Sequence, residues 1–193
     1  GALTCSLPAV PLGTTYYVDV QASNISGFGP ATSPRVAVTP ATAPGAPRLV
    51  SAYRADTAAE VTFSAPITTG GSPITGYTVR AFTTVDGTTP VQTCSPGSMS
   101  ATDEMRCTIT GLTNGISYSF DVVATISAGT SVGSLPRPSA NPATVPDAPA
   151  TPTPTPSTTS IAVSWSAPSN PGGALTGYVA QAFTTAGGQS AVA

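Results

Sequence analysis

Histidine and lysine are both missing from these 193 residues, and each absence removes a class of chemistry. Without His there is no common general base, no Ser-His-Asp or Cys-His nucleophile system, and no usual zinc ligand. Without Lys there is no Schiff base, no Walker-type phosphate loop and no Lys–Asn isopeptide crosslink. Charge of any kind is scarce, at 7% of residues with a net charge of −2. The six scattered cations, all Arg, form no basic stripe, which argues against nucleic acid as a partner. No apolar run approaches the ~20 residues that cross a bilayer, so membrane insertion is not expected. No leader peptide is recognisable after Gly1, which begins in polar sequence; the chain starts and stops at odd places, and little follows from that.

Glycine (19) and proline (21) are abundant, and Ala, Ser and Thr fill most of the remainder. Such a composition approaches that of disordered chains, but 40% hydrophobic residues and a small net charge point to a folded one.

Self-similarity is the strongest signal. The segment from Cys5 to Gly27 matches Cys107 to Gly129 at a constant offset of 102, with Gly13, Tyr16, Asp19, Val20 and Ala22 recurring as Gly115, Tyr118, Asp121, Val122 and Ala124. The Pro-rich stretch from Pro40 to Pro47 returns as Pro142 to Pro149. Val61-Thr62-Phe63-Ser64-Ala65-Pro66 returns as Val163-Ser164-Trp165-Ser166-Ala167-Pro168. Thr75-Gly76-Tyr77 and Ala81-Phe82-Thr83-Thr84 return at offset 101 as Thr176-Gly177-Tyr178 and Ala182-Phe183-Thr184-Thr185. The period is one domain long. Residues 44–145 read as a complete module, 1–43 as the C-terminal half of one, and 146–193 as the N-terminal half of another.

Apolar residues alternate with polar ones at the period of two that marks half-buried strands. Ile161, Val163 and Trp165 share one face, as do Tyr118, Phe120, Val122 and Ala124, and in the first module Tyr16, Val18, Val20 and Ala22. Turn signals separate the runs: Gly70-Gly71-Ser72-Pro73, Asp86-Gly87, Asn114-Gly115 and Pro171-Gly172-Gly173. No helical period persists. Seven or so short strands per module predict an all-β fold of two packed antiparallel sheets.

The order of these motifs resembles the fibronectin type III module. Phe63 and Trp165 match its second strand, Tyr77 and Tyr178 its third, and Leu112 with Tyr118, or Val10 with Tyr16, its tyrosine corner. Phe63 departs from the Trp usual in that family, and Pro138 and Ala140 make a weak last strand opposite Val36 and Val38. The resemblance implies tandem immunoglobulin-like β-sandwiches, and alternation turns Trp165 and Tyr178 inward, into the core rather than onto a sugar-stacking surface.

The three cysteines fit the repeat. Cys94 and Cys107 fall in one module and are close enough in sequence to pair, while Cys5 corresponds to Cys107 and is expected to find its partner outside this segment. One disulfide per module implies an oxidising compartment outside the cytosol; the alternative is three buried free thiols. In the repeat, Ala193 corresponds to Gln92 and Gly1 to Asp103, so residues 146–193 and the 1–43 segment of a neighbouring unit are expected to complete one sandwich. The neighbour is either continuous polypeptide or a separate identical chain placed head-to-tail, and an arbitrary boundary is the competing explanation.

Other features carry weaker signals. Thr151, Thr153 and Thr155 alternate with Pro in a segment aligned with a first strand; they suit an edge strand, a stiff spacer or O-glycosylation. Asn24-Ile25-Ser26 is an N-glycosylation sequon, a pattern that also arises by chance. Phe28 in the same loop is a candidate contact residue for surface glycans or proteins, against a lone exposed aromatic. Asp56, Asp103-Glu104 and Asp147 lack calcium-loop spacing and read as solvated carboxylates, so neither metal nor cofactor is expected.

These readings predict a non-catalytic, structural protein of the cell exterior, of bacterial type: the shaft of a surface fibre, filament or large adhesin. Two other functions remain open, the spacer modules of a secreted carbohydrate-active enzyme and a loop-based glycan or protein binding module.

Overall fold

The structure is a computed structural model that describes residues 1–96, 104–186 and 188. The first segment carries β1 (Tyr16–Val18), β2 (Ser23–Asn24), β3 (Gly27–Phe28) and β4 (Val36–Val38). β1 pairs antiparallel with β4, Tyr16 opposite Val38, and β2 with β3.

The central segment folds as two sheets packed into a sandwich. Its strands are β5 (Arg48–Ala55), β6 (Ala58–Ser64), β7 (Gly76–Phe82), β8 (Gln92–Cys94), β9 (Met105–Thr110), β10 (Tyr118–Ile126), β11 (Gly129–Thr130) and β12 (Ser139–Ala140). One sheet runs β5-β6-β9 and the other β11-β10-β7-β8, with β12 also on β10. All pairings are antiparallel. The last segment supplies β13 (Thr153–Pro156) and β14 (Ile161–Ser164), which pair with each other. No helix occurs among the described residues.

Alternation explains the central core. Ala59, Val61 and Phe63 on β6, and Phe120, Val122 and Ala124 on β10, have no exposed surface. Strand β9 alternates buried and exposed, with Met105, Cys107 and Ile109 turned inward. Register puts Val61 opposite Cys107 in one sheet and Val79 opposite Val122 in the other. Each such large side chain contributes about 1.5–3 kcal/mol by leaving water. The Cys94–Cys107 disulfide, Cα atoms 6.3 Å apart, joins β8 of one sheet to β9 of the other. The β5–β6 hairpin turns through Asp56-Thr57; Thr57 takes a φ of 49°, and its N–H donates to Asn114 Oδ1 at 2.9 Å.

The flanking segments show what a strand needs. Gly76–Phe82 is strand β7, whereas its repeat counterpart, residues 177–183, forms no strand. The counterpart of β9, residues 3–8, is likewise not extended into a sheet. A strand satisfies its backbone N–H and C=O groups only beside a neighbour; β7 has β10 and β8, and β9 has β6. For residues 177–183 and 3–8 the sequence is similar, but among the described residues no strand pairs with them. The expected core placement of Trp165 and Tyr178 is corrected: they remain 38% and 44% exposed, and among the described residues only β13 pairs with the strand β14 beside them. Their rings still meet edge to face at 5.6 Å, close to the 5.2 Å of their counterparts Phe63 and Tyr77.

Candidate functional site

The candidate site is the junction between successive segments, because the same contacts are built there twice. At the first junction Thr42 N–H donates to Gly70 O (2.9 Å), and Gly45 N–H donates to Thr68 O (2.9 Å). At the second, 102 positions on, Thr144 N–H donates to Gly172 O (2.8 Å), and Asp147 N–H to Asn170 O (3.0 Å). The turn that leads into each tyrosine-bearing strand, before Tyr16 and before Tyr118, is tied in as well: Gly13 N–H bonds Pro40 O, and Gly115 N–H bonds Pro142 O, both at 2.9 Å. Each Pro-rich linker is thereby held against the loop of the following module by backbone bonds rather than left free.

Glycine is required where those backbones approach. Gly70 and Gly172 have φ of 74° and 64°, a region that L side chains rarely adopt. A Cβ on Gly70 would overlap the carbonyl of Thr42, and one on Gly172 that of Thr144. Across the first junction, Leu12 and Gly13 abut Gly71 directly. At the second, a cleft of about 710 Å³ lies between Arg54 and Gly115 on one side and Gly173 and Leu175 on the other.

A second constellation sits on the outer face of the β7–β10 sheet. Asp121, 1% exposed, accepts from Arg80 Nε at 2.7 Å and from Arg137 Nη2 at 2.8 Å. Arg137 also donates through Nη1 to Val85 O (2.9 Å) and Gly87 O (2.7 Å), tying down the loop that follows β7. Its guanidinium lies 3.8 Å from the Phe82 ring centroid, a cation–π contact. Sequence reasoning missed this cluster, since alternation makes Asp121 an outward polar position like any other. The one available signal was the recurrence of the pair as Asp19 and Arg35, which bond at 2.7 Å. The first segment has the ion pair without the aromatic floor.

The residues singled out from sequence are dispersed. Tyr118 Oη accepts the Thr113 N–H at 3.2 Å, closing the tyrosine corner of the central sandwich. Burial raises the pKa of the Tyr77 hydroxyl above its ordinary value. Cys5 is free and exposed. Asn24 is exposed and accepts the Ser26 N–H at 2.8 Å, and Phe28 projects from the β2–β3 hairpin, 79% exposed. Thr151, Thr153 and Thr155 are all exposed, the last two on β13, whose prolines lie opposite Val163 and Ile161. Asp103 and residues 189–193 lie outside the described residues. Among the described residues no group of three or more His, Cys, Asp or Glu could hold a metal ion, and no helix is long and apolar enough to cross a membrane.

Residues 45–139 match the family described as Fibronectin type III domain. No curated protein matches the sequence. Among solved structures, a crystal structure of titin domains is 25% identical with a TM-score of 0.41, over 55% of this chain and 35% of that one. The FN1–FN3 domains of chicken CNTN1 are 22% identical with a TM-score of 0.46, over 69% of this chain and 44% of that one. Domains d3–d4 of the rat CD45 extracellular region are 17% identical with a TM-score of 0.46, over 72% of this chain and 70% of that one. This chain therefore spans less than half the length of the titin and CNTN1 chains.

Proposed function

Residues 45–139 being a fibronectin type III domain, we propose that the chain serves as a non-catalytic, load-bearing segment of an extracellular array, the shaft of a surface fibre, filament or adhesin. The observation that carries this reading is the repetition of the junction. Thr42–Gly70 and Thr144–Gly172 make one backbone bond at equivalent places, and both linkers are Pro-rich. Proline restricts the linker and the bonds anchor it, so successive modules keep one spacing and one orientation. A spacer needs this; a mobile binding arm does not.

The Cys94–Cys107 bond supports an oxidising location outside the cytosol. Within the central module it also limits how far β8 and β9 separate under load, by closing the stretch of chain between them. Scarce charge and the absence of Lys leave few sites for trypsin-like proteases, which suits an exposed shaft.

Gold-labelled antibody raised against the chain, applied to intact source cells under the electron microscope, tests the reading. Label along thin projections is the expected result. Label only in lysed cells, or on a soluble secreted enzyme, overturns it.

A further inference from the structure

Strand β5 is the outer strand of the β5-β6-β9 sheet, and among the described residues no strand pairs with its other side. Val50, Ser51 and Ala52 are half-buried, and Tyr53, Arg54 and Ala55 are exposed. The β5–β6 register shifts between Arg48 and Ser51, so the regular part of this edge is residues 51–55. At its end Ala55 O accepts the Ala143 N–H at 3.1 Å. We propose that the open edge of β5 pairs antiparallel with β5 of a second copy of the chain, joining two chains side by side through one continuous sheet.

The repeat supplies a closed edge for comparison. β13 lies 102 positions after β5 and pairs with β14 in the same register, Thr155 opposite Ala162 as Tyr53 is opposite Glu60. Pro154 and Pro156 have no N–H, so it is Thr153 and Thr155 that can donate to β14, and the outward positions of β13 donate nothing. Ser157 keeps this alternation, since its N–H bonds Ser160 O at 2.8 Å. Carried back by 102, the outward positions are Ala52 and Arg54, and both retain their N–H. One edge is closed by proline, as exposed edges commonly are, and the other presents donors and acceptors.

Charge selects the occupant and the register. A two-fold axis through Ala52 sets Ala52 opposite its own copy, Tyr53 opposite Ser51, and Arg48 beside Asp56 of the second copy. Arg48 and Asp56 are both exposed, and symmetry makes their pairing twice. An axis at Ser51 would instead put Arg48 beside Arg54, and an axis at Arg54 would set that arginine against itself. In the proline-closed edge the counterparts of Arg48, Tyr53 and Asp56 are Ala150, Thr155 and Thr158. Donors, opposite charges and an aromatic ring thus occur together in one module and are absent together from the next. An unrelated extended peptide would use the donors alone; a second copy uses all three.

Such a contact is isologous, so it closes at two chains, which lie antiparallel. Tyr53, 57% exposed in the single chain, comes to rest on the face away from the core, next to Ser51 of the second copy. The following module, sealed along β13, adds no second contact of this kind. The pairing is a property of one edge of the central module and is separate from whether the array forms a shaft.

The test uses the full chain in a Cys5→Ser background, which removes intermolecular disulfides as a cause of association. Sedimentation equilibrium should give a reversible exchange between a 19.0 kDa monomer and a dimer. Ala52→Pro copies the closed edge of β13 and should abolish the dimer; should it lose the parent's circular dichroism, the charge variants decide. Arg48→Asp alone, and Asp56→Arg alone, each turn two attractions into two repulsions and should weaken the dimer about tenfold. An equal mixture of these two variants restores both attractions and should recover the parental affinity. A parent chain that stays monomeric at every concentration overturns the proposal. So does a dimer indifferent to the charge reversals, or a mixture that associates no more tightly than its components.

Discussion

Arg137 lies over Phe82, its guanidinium carbon 3.8 Å from the ring centroid, while its Nη2 reaches Asp121 at 2.8 Å. The arginine thus seals an aromatic ring and neutralises a buried carboxylate with one planar group. Lysine offers no such geometry.

Replacing Asp121 with Asn should lower the unfolding free energy by about 3 kcal/mol, since two guanidinium groups then lose their counter-charge where water is scarce. Arg137→Ala should cost a similar amount, because Phe82 is uncovered as well. Urea denaturation followed by far-UV circular dichroism would show a lower midpoint at unchanged slope. A shift no larger than that of an exposed ion pair would refute the assigned role.

Gly70→Ala and Gly172→Ala should loosen the junctions while leaving the central core intact. Each puts a side chain into a positive-φ position and against a linker carbonyl. Limited proteolysis with a protease of broad specificity should cut residues 41–47 or 143–149 faster in the respective variant. Unchanged cleavage would mean the backbone bonds do not hold the linkers.

Breaking the Cys94–Cys107 link, by Cys94→Ser with Cys107→Ser or by reductant, should cost about 3 kcal/mol from the freed loop of the unfolded chain. Calorimetry with and without reductant measures it, and the serine variant should be indifferent to reductant.

Tyr118→Phe removes one hydroxyl that accepts the Thr113 N–H, and should cost about 1 kcal/mol. Tyr118→Ala also empties buried space and should cost about 3–5 kcal/mol. Equal effects of the two would mean that the hydrogen bond, not the packing, governs the corner.

Burial holds the Tyr77 hydroxyl neutral in the fold, raising its pKa above the ordinary value of 10.0. Its contribution to stability is fully present below that unfolded-state value and is lost as pH rises through the folded one. Thermal melts should therefore fall at strongly alkaline pH, and less so in Tyr77→Phe.

The repeat, the all-β class and the inward faces were legible from residue order alone. A period of two assigns Val61 and Phe63 to one face whatever their surroundings, and a 102-residue repeat makes the same reading twice. The junction bonds were not legible: they join backbone atoms of Thr42 and Gly70, and no side chain records them. The Asp121 cluster was hidden because alternation cannot tell a solvated outward carboxylate from one roofed by arginines on β7 and on the segment after β11.

What the amino acids determined unaided is which residues can face a core, through side-chain alternation and turn chemistry, both local properties. Whether they do so was decided only in three dimensions. Gly76-Tyr77-Thr78-Val79-Arg80-Ala81-Phe82 is a buried central strand, and Gly177-Tyr178-Val179-Ala180-Gln181-Ala182-Phe183 is not. The difference is the presence of β10, because a strand's backbone groups bond across to a neighbour and never within the strand itself.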